Sequence, residues 1–118
     1  MSEFGLSFDA HPGVRPLEPL GYLDSLNLTR HARFLLTDSG GLQEESTYFR
    51  TPCLTLRPNT ERPITITIGS NRLTSVTTLR NDISQLLAQP DRLGETPPLW
   101  DGRTAERIVA ELLDYARD

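Results

Sequence analysis

The chain is 118 residues long, 36% hydrophobic and 24% charged, with nine prolines and eight glycines; this excludes a disordered or fibrous protein and leaves room for one buried core but not two. Twelve basic against sixteen acidic residues give a net charge of -4, and no run of one sign supplies the broad positive field that a nucleic-acid backbone or an anionic membrane requires. The single cysteine, Cys53, excludes an internal disulfide and, with two distant histidines, offers no zinc spacing, so a buried structural thiol is expected.

The N-terminal "MSEFGLSFDAHPG" lacks a basic region followed by a long apolar core. No secretory leader or membrane span is expected, and the cytoplasm is the expected compartment. Short apolar runs then alternate with helix-period segments, a βα pattern. Val14 to Glu18 is expected as a short strand, and Tyr22 to His31, with Leu23, Leu26 and Leu28, as a helix. Ala32 to Thr37 is a second strand and Leu42 to Arg50 a second helix. After Thr51-Pro52 come a third strand, Cys53 to Arg57, and the loop "PNTERP". Ile64 to Gly69 carries two signals. Its alternation argues for a strand, whereas Thr60 followed by Pro63 resembles the start of a helix.

Arg72 to Val76 is a further short strand, and Leu79, Ile83, Leu86 and Leu87 lie on one face of a helix that ends before Pro90. A proline-rich connector, "QPDRLGETPPLWDG", leads to the strongest periodic signal in the chain: Ala105, Ile108, Val109, Leu112, Leu113 and Ala116 form a helical stripe expected to pack as core.

Chemistry concentrates in "LLTDSGGLQEES", Leu35 to Ser46. Ser39-Gly40-Gly41 places flexible backbone between a strand and a helix, where the first helical N–H groups have no intrahelical acceptor. Such a helix start can hold an anion, and glycine lets phosphate oxygens approach without meeting a Cβ. It can equally be an ordinary capped helix start with Asp38 or Ser39 at the N-cap. The stretch is neither a P-loop nor a three-glycine dinucleotide fingerprint. Glu44 and Glu45 project about 100° apart on a helix and cannot flank one substrate atom as an acid/base pair. Arg57 and Arg62 lie in "LRPNTERP", immediately after the next strand. In a parallel sheet that loop and Ser39 to Gly41 open on the same edge, so two guanidinium groups could meet an anion held there.

Taken in order, "LLTDSGGLQEES", "PCLTLRPNTERP", "GSNRL" and "WDGRTAERI" resemble the C-terminal half of the non-hydrolysing UDP-N-acetylglucosamine 2-epimerases, over nearly the whole chain. The resemblance implies an α/β fold: a truncated Rossmann-like three-layer domain, residues 1–118, with a short parallel sheet of about four strands and flanking helices. That family has two such domains facing across a cleft, as in the GT-B glycosyltransferases, and interconverts UDP-N-acetylglucosamine and UDP-N-acetylmannosamine. Removal of the C2 proton, expulsion of UDP and return of a proton to the other face are implied, with no metal or organic cofactor.

By motif match, Ser39, Gly40 and Gly41 would hold the diphosphate, Glu45 the ribose, and Arg62 the charge growing on departing UDP. The carboxylates that handle the C2 proton belong to an N-terminal domain that the resemblance does not cover. His11 does not match the family's histidine, and Ser25 stands where an aromatic residue is usual near the uracil. The implied partners are UDP or a UDP-N-acetylhexosamine, a separate N-terminal half, and a second copy pairing through an open sheet edge. Val14 to Glu18 is expected either to pair beside Ala32 to Thr37 or to be covered by that copy. The alternatives are a non-catalytic UDP-binding module and a non-functional fragment.

Overall fold

Three parallel strands organise the chain in a computed structural model that describes residues 11–117. Most of the N-terminal stretch considered for a leader lies outside them. In chain order the elements are α1 (Tyr22–His31), β1 (Leu35–Thr37), α2 (Gly40–Phe49), β2 (Cys53–Leu56), α3 (Ile64–Thr67), β3 (Asn71–Thr74), α4 (Leu79–Leu87) and α5 (Thr104–Tyr115). The sheet order is β1-β2-β3, with Leu35 opposite Cys53 and Cys53 opposite Asn71. This is a Rossmann-like α/β arrangement in which α2 and α3 carry the two crossovers between adjacent parallel strands.

Strand β2 is the middle of the sheet and carries most of its burial: Cys53, Leu54 and Thr55 are fully buried. Pro52 favours extended backbone at Thr51 and so helps separate α2 from the strand. Burial pushes the Cys53 thiol above its ordinary pKa, despite hydrogen bonds with Ser46 and Thr55 that act the other way; this is the inert thiol expected from the sequence.

The stretch Ile64 to Gly69 resolves as a helix over Ile64–Thr67, with Pro63 at its N-cap. Proline favours that outcome by fixing φ where no helical N–H is needed. Two expectations fail. Val14 to Glu18 forms no strand, so the sheet has three strands, and nothing among the described residues pairs with the outer edge of β1. Pro12, Pro16 and Pro19 punctuate that segment and remove ladder donors, and Val14 and Leu17 are exposed. The α5 stripe is helical as expected but is not buried as core: Ile108, Val109, Leu112 and Leu113 are each more than half exposed among the described residues.

The interior is unusually polar. Among the described residues its buried hydrophobic side chains are Cys53, Leu54 and Leu86, with Pro52 beside them, set against Thr29, Gln43, Ser46, Thr47, Thr51, Thr55, Thr65, Ser70, Asn71 and Thr74. Hydrogen bonds tie these groups to backbone across elements. Thr51 Oγ1 donates to Thr29 O at 3.0 Å, and Ser70 Oγ donates to Thr51 O at 2.7 Å. The connector after α4 folds back through Gly94, whose φ of 66° suits glycine and whose hypothetical Cβ would collide with the Ile68–Gly69 backbone. Arg33, held by Asp91 and the carbonyls of Leu87 and Gln89, secures the same segment.

Asp82 on α4 accepts a hydrogen bond from Thr74 Oγ1 at 2.6 Å. This bond, with help from Thr78 and the charge of Arg72, holds the carboxyl below its ordinary pKa. A depressed folded pKa contributes stability above the unfolded value, near 4, and loses it as pH falls through the folded value. Thermal melts from about pH 5 down to about pH 2 should therefore show a smaller loss of Tm for Asp82→Asn than for the native protein; equal losses would remove Asp82 from the acid response.

Candidate functional site

Because β1 and β2 are parallel, the loops after Thr37 and after Leu56 leave the sheet on one edge. Helix α2 starts in the first of these loops. Ser39 takes the N-cap position with extended backbone, φ -81° and ψ 132°, yet its side chain makes no capping hydrogen bond, and the first turn carries no acidic residue. The opening amides of α2 are thus left to other acceptors, and the helix dipole favours a negative one.

The two glycines are informative because the fold does not need them. Neither has a left-handed φ. A Cβ at Gly41 would meet nothing within 4 Å, and the nearest atoms to one at Gly40 would be those of the Arg62 guanidinium, at an ordinary 3.5 Å. Glycine is a poorer helix former than alanine, so two in succession in the first turn favour α2 less than alanines would, with no packing reason in return.

Arg62 arrives from the second loop and lies against Gly40, the juxtaposition expected from the parallel topology. Its Nε is 2.8 Å from Glu44 Oε2, close enough for an ion pair but poorly aligned for a hydrogen bond, and the Nε has no other partner. Glu44 stands one helical turn above Gly40, and Glu45 one turn above Gly41, so the two acids lie on different faces of α2. Among the described residues no ion pair engages Glu45. Arg57 is not brought in with Arg62: both its terminal nitrogens bond Glu61, at 3.1 and 3.2 Å. Glu61 titrates below its ordinary pKa, through a backbone hydrogen bond first and Arg57 second.

Sequence reasoning missed the buried polar face of α2. Gln43, Ser46 and Thr47 are fully buried at helical spacing, a pattern invisible to a search for apolar periodicity. A cavity of about 260 Å³ touching Cys53, Ser70, Asn71 and Leu86 lies at the opposite, N-terminal edge of the strands, away from the glycines.

A three-stranded parallel sheet with an anion-receptive helix start at its C-terminal edge defines a Rossmann-like α/β protein. Comparison with known proteins is more specific. Residues 4–113 match the family described as UDP-N-acetylglucosamine 2-epimerase. The chain is 37% identical over 120 residues to the UDP-N-acetylglucosamine 2-epimerase of Methanocaldococcus jannaschii, covering 99% of this chain and 32% of that protein. It is 39% identical over 106 residues to the Bacillus subtilis enzyme of the same name, covering 85% of this chain and 28% of that protein. The crystal structure of the M. jannaschii enzyme in complex with UDP-GlcNAc and UDP superposes with a TM-score of 0.79 at 38% identity, over 95% of this chain and 32% of that one. The chain belongs to the UDP-N-acetylglucosamine 2-epimerase family, and it spans about a third of the length of these relatives.

Proposed function

We propose that residues 1–118 form one domain, the UDP-binding half of a UDP-N-acetylglucosamine 2-epimerase, which acts with a separate half carrying the proton-transfer carboxylates. The observation that carries this reading is the pair of helical glycines that the fold does not require, beside an arginine from the neighbouring loop. The α2 amides and the Ser39 hydroxyl hold the diphosphate. Glu45, above Gly41, accepts hydrogen bonds from the ribose hydroxyls. Arg62 meets the charge that grows on UDP as it leaves, a form of electrostatic stabilisation that often dominates catalysis. The exposed α5 stripe and the open edge of β1 are where the other half, or a second copy, would cover apolar and strand-edge surface.

Titration calorimetry with UDP tests the binding part: saturable heat supports it, and no heat at millimolar UDP rejects it. Mixing with the N-terminal half of a relative and following UDP-GlcNAc/UDP-ManNAc interconversion by NMR tests the catalytic part. Absence of turnover in a mixture that does associate counts against it.

A further inference from the structure

The Arg62 backbone is held at both ends by hydroxyl groups that lead to one buried amide. Arg62 N donates to Thr60 Oγ1 at 3.0 Å, and Thr60 Oγ1 in turn donates to Gln43 Oε1 at 2.6 Å. On the other side, Arg62 O accepts from Thr65 Oγ1 at 2.7 Å. Asn71 Nδ2 joins the two arms, lying 3.2 Å from both Gln43 Oε1 and Thr65 Oγ1, and Thr55 Oγ1 fixes Asn71 by donating to its Oδ1 at 2.6 Å. Gln43 is fully buried, and its Nε2 has no partner. An unmet buried donor is a stability loss, so the contribution of this side chain lies in what its oxygen accepts.

Gln43 sits one turn beyond Ser39, on the same α2 turn as the glycines. The network therefore connects the helix start directly to the loop that carries the arginine. We propose that Gln43 and Thr60 are positioning residues for Arg62, fixing its backbone relative to the α2 N-terminus so that its guanidinium reaches the outer phosphate of a nucleoside diphosphate. This inference rests on the UDP-binding reading above for its ligand, but not for the clamp itself.

Two measurements separate the clamp from the ligand. Hydrogen exchange at the Arg62 amide needs no nucleotide: Thr60→Val, isosteric and in a loop, should speed that exchange at least about tenfold, as expected for loss of a bond worth about 1.4 kcal/mol, while Thr60→Ser should leave it near the native rate. Calorimetry with UDP and with UMP then asks whether the charge is displaced. Thr60→Val and Gln43→Met should lose about tenfold in UDP affinity, with UMP affinity changed far less, because Arg62 is assigned to the second phosphate. General destabilisation would lower both affinities together, and that outcome overturns the proposal. Unchanged Arg62 exchange in Thr60→Val also overturns it, whether or not UDP binds. Native protein that binds no UDP rejects the nucleotide reading and the diphosphate assignment made here, whereas the exchange result still decides the clamp. Should Gln43→Met fail to fold, Thr60→Val and Thr60→Ser carry the comparison.

Discussion

Gly41→Ala is expected to make the protein more stable and to cost it most of its hold on UDP. The stabilising half follows from backbone entropy: alanine in the first turn of α2 restricts the unfolded chain, and its Cβ would meet no atom within 4 Å. A gain of about 0.5–1 kcal/mol, or about 2–4 °C in Tm for a chain of this size, is the expected result in thermal melts. The loss of binding follows from the same methyl group, which would stand where phosphate oxygens must approach the opening amides. Displacing one charge-assisted hydrogen bond, worth about 1.5–3 kcal/mol, weakens binding about tenfold or more. Gly40→Ala should be milder, since the nearest atoms to its Cβ belong to the movable far end of Arg62. A stabilised Gly41→Ala protein with undiminished UDP affinity would show that phosphates do not rest on this backbone.

The second large effect concerns the charge at Arg62. Arg62→Ala should reduce UDP affinity about 10- to 100-fold in calorimetry, and Arg62→Lys should recover part of this as a point charge without the guanidinium fork. Glu44 supplies the opposite test. Its ion pair with Arg62 is partly exposed, with the two side chains 46% and 35% accessible respectively, and pairs of that kind contribute about 0–1 kcal/mol. Glu44 therefore holds the guanidinium near Gly40 without binding it tightly, and it also places negative charge beside the proposed phosphate. Glu44→Gln should tighten UDP binding several-fold at low salt, an effect that fades as ionic strength rises. Weaker binding in Glu44→Gln would instead make the acid a partner that Arg62 needs in the bound state.

Much of this was legible in the residues. The α1 boundaries agree with the periodicity of Leu23, Leu26 and Leu28, and both β1 and β2 fall within the expected runs. Parallel topology alone put the glycine loop and the arginine loop on one edge, and Arg62 lies against Gly40 accordingly. What sequence could not weigh was competition among partners. Arg57 and Arg62 look alike in "LRPNTERP", but only Arg57 has Glu61 four residues on, within reach of a local pair. Val14 to Glu18 has strand-like composition, yet a strand needs a neighbour, and none stands beside it among the described residues. The α5 stripe is apolar at the right period, but periodicity gives a face and not what covers it. The α2 face escaped for the reverse reason, since its buried residues are Gln43, Ser46 and Thr47.

That threonine-rich interior has a thermodynamic corollary. Unfolding would hydrate many hydroxyl and amide groups and comparatively few hydrocarbon ones, and polar hydration lowers the heat capacity whereas apolar hydration raises it. The heat-capacity increment of this chain should fall below the usual value per residue, giving a flat stability curve. Its folded population would then vary little between cold and warm conditions, with geometry rather than temperature governing how well the helix start is kept in shape.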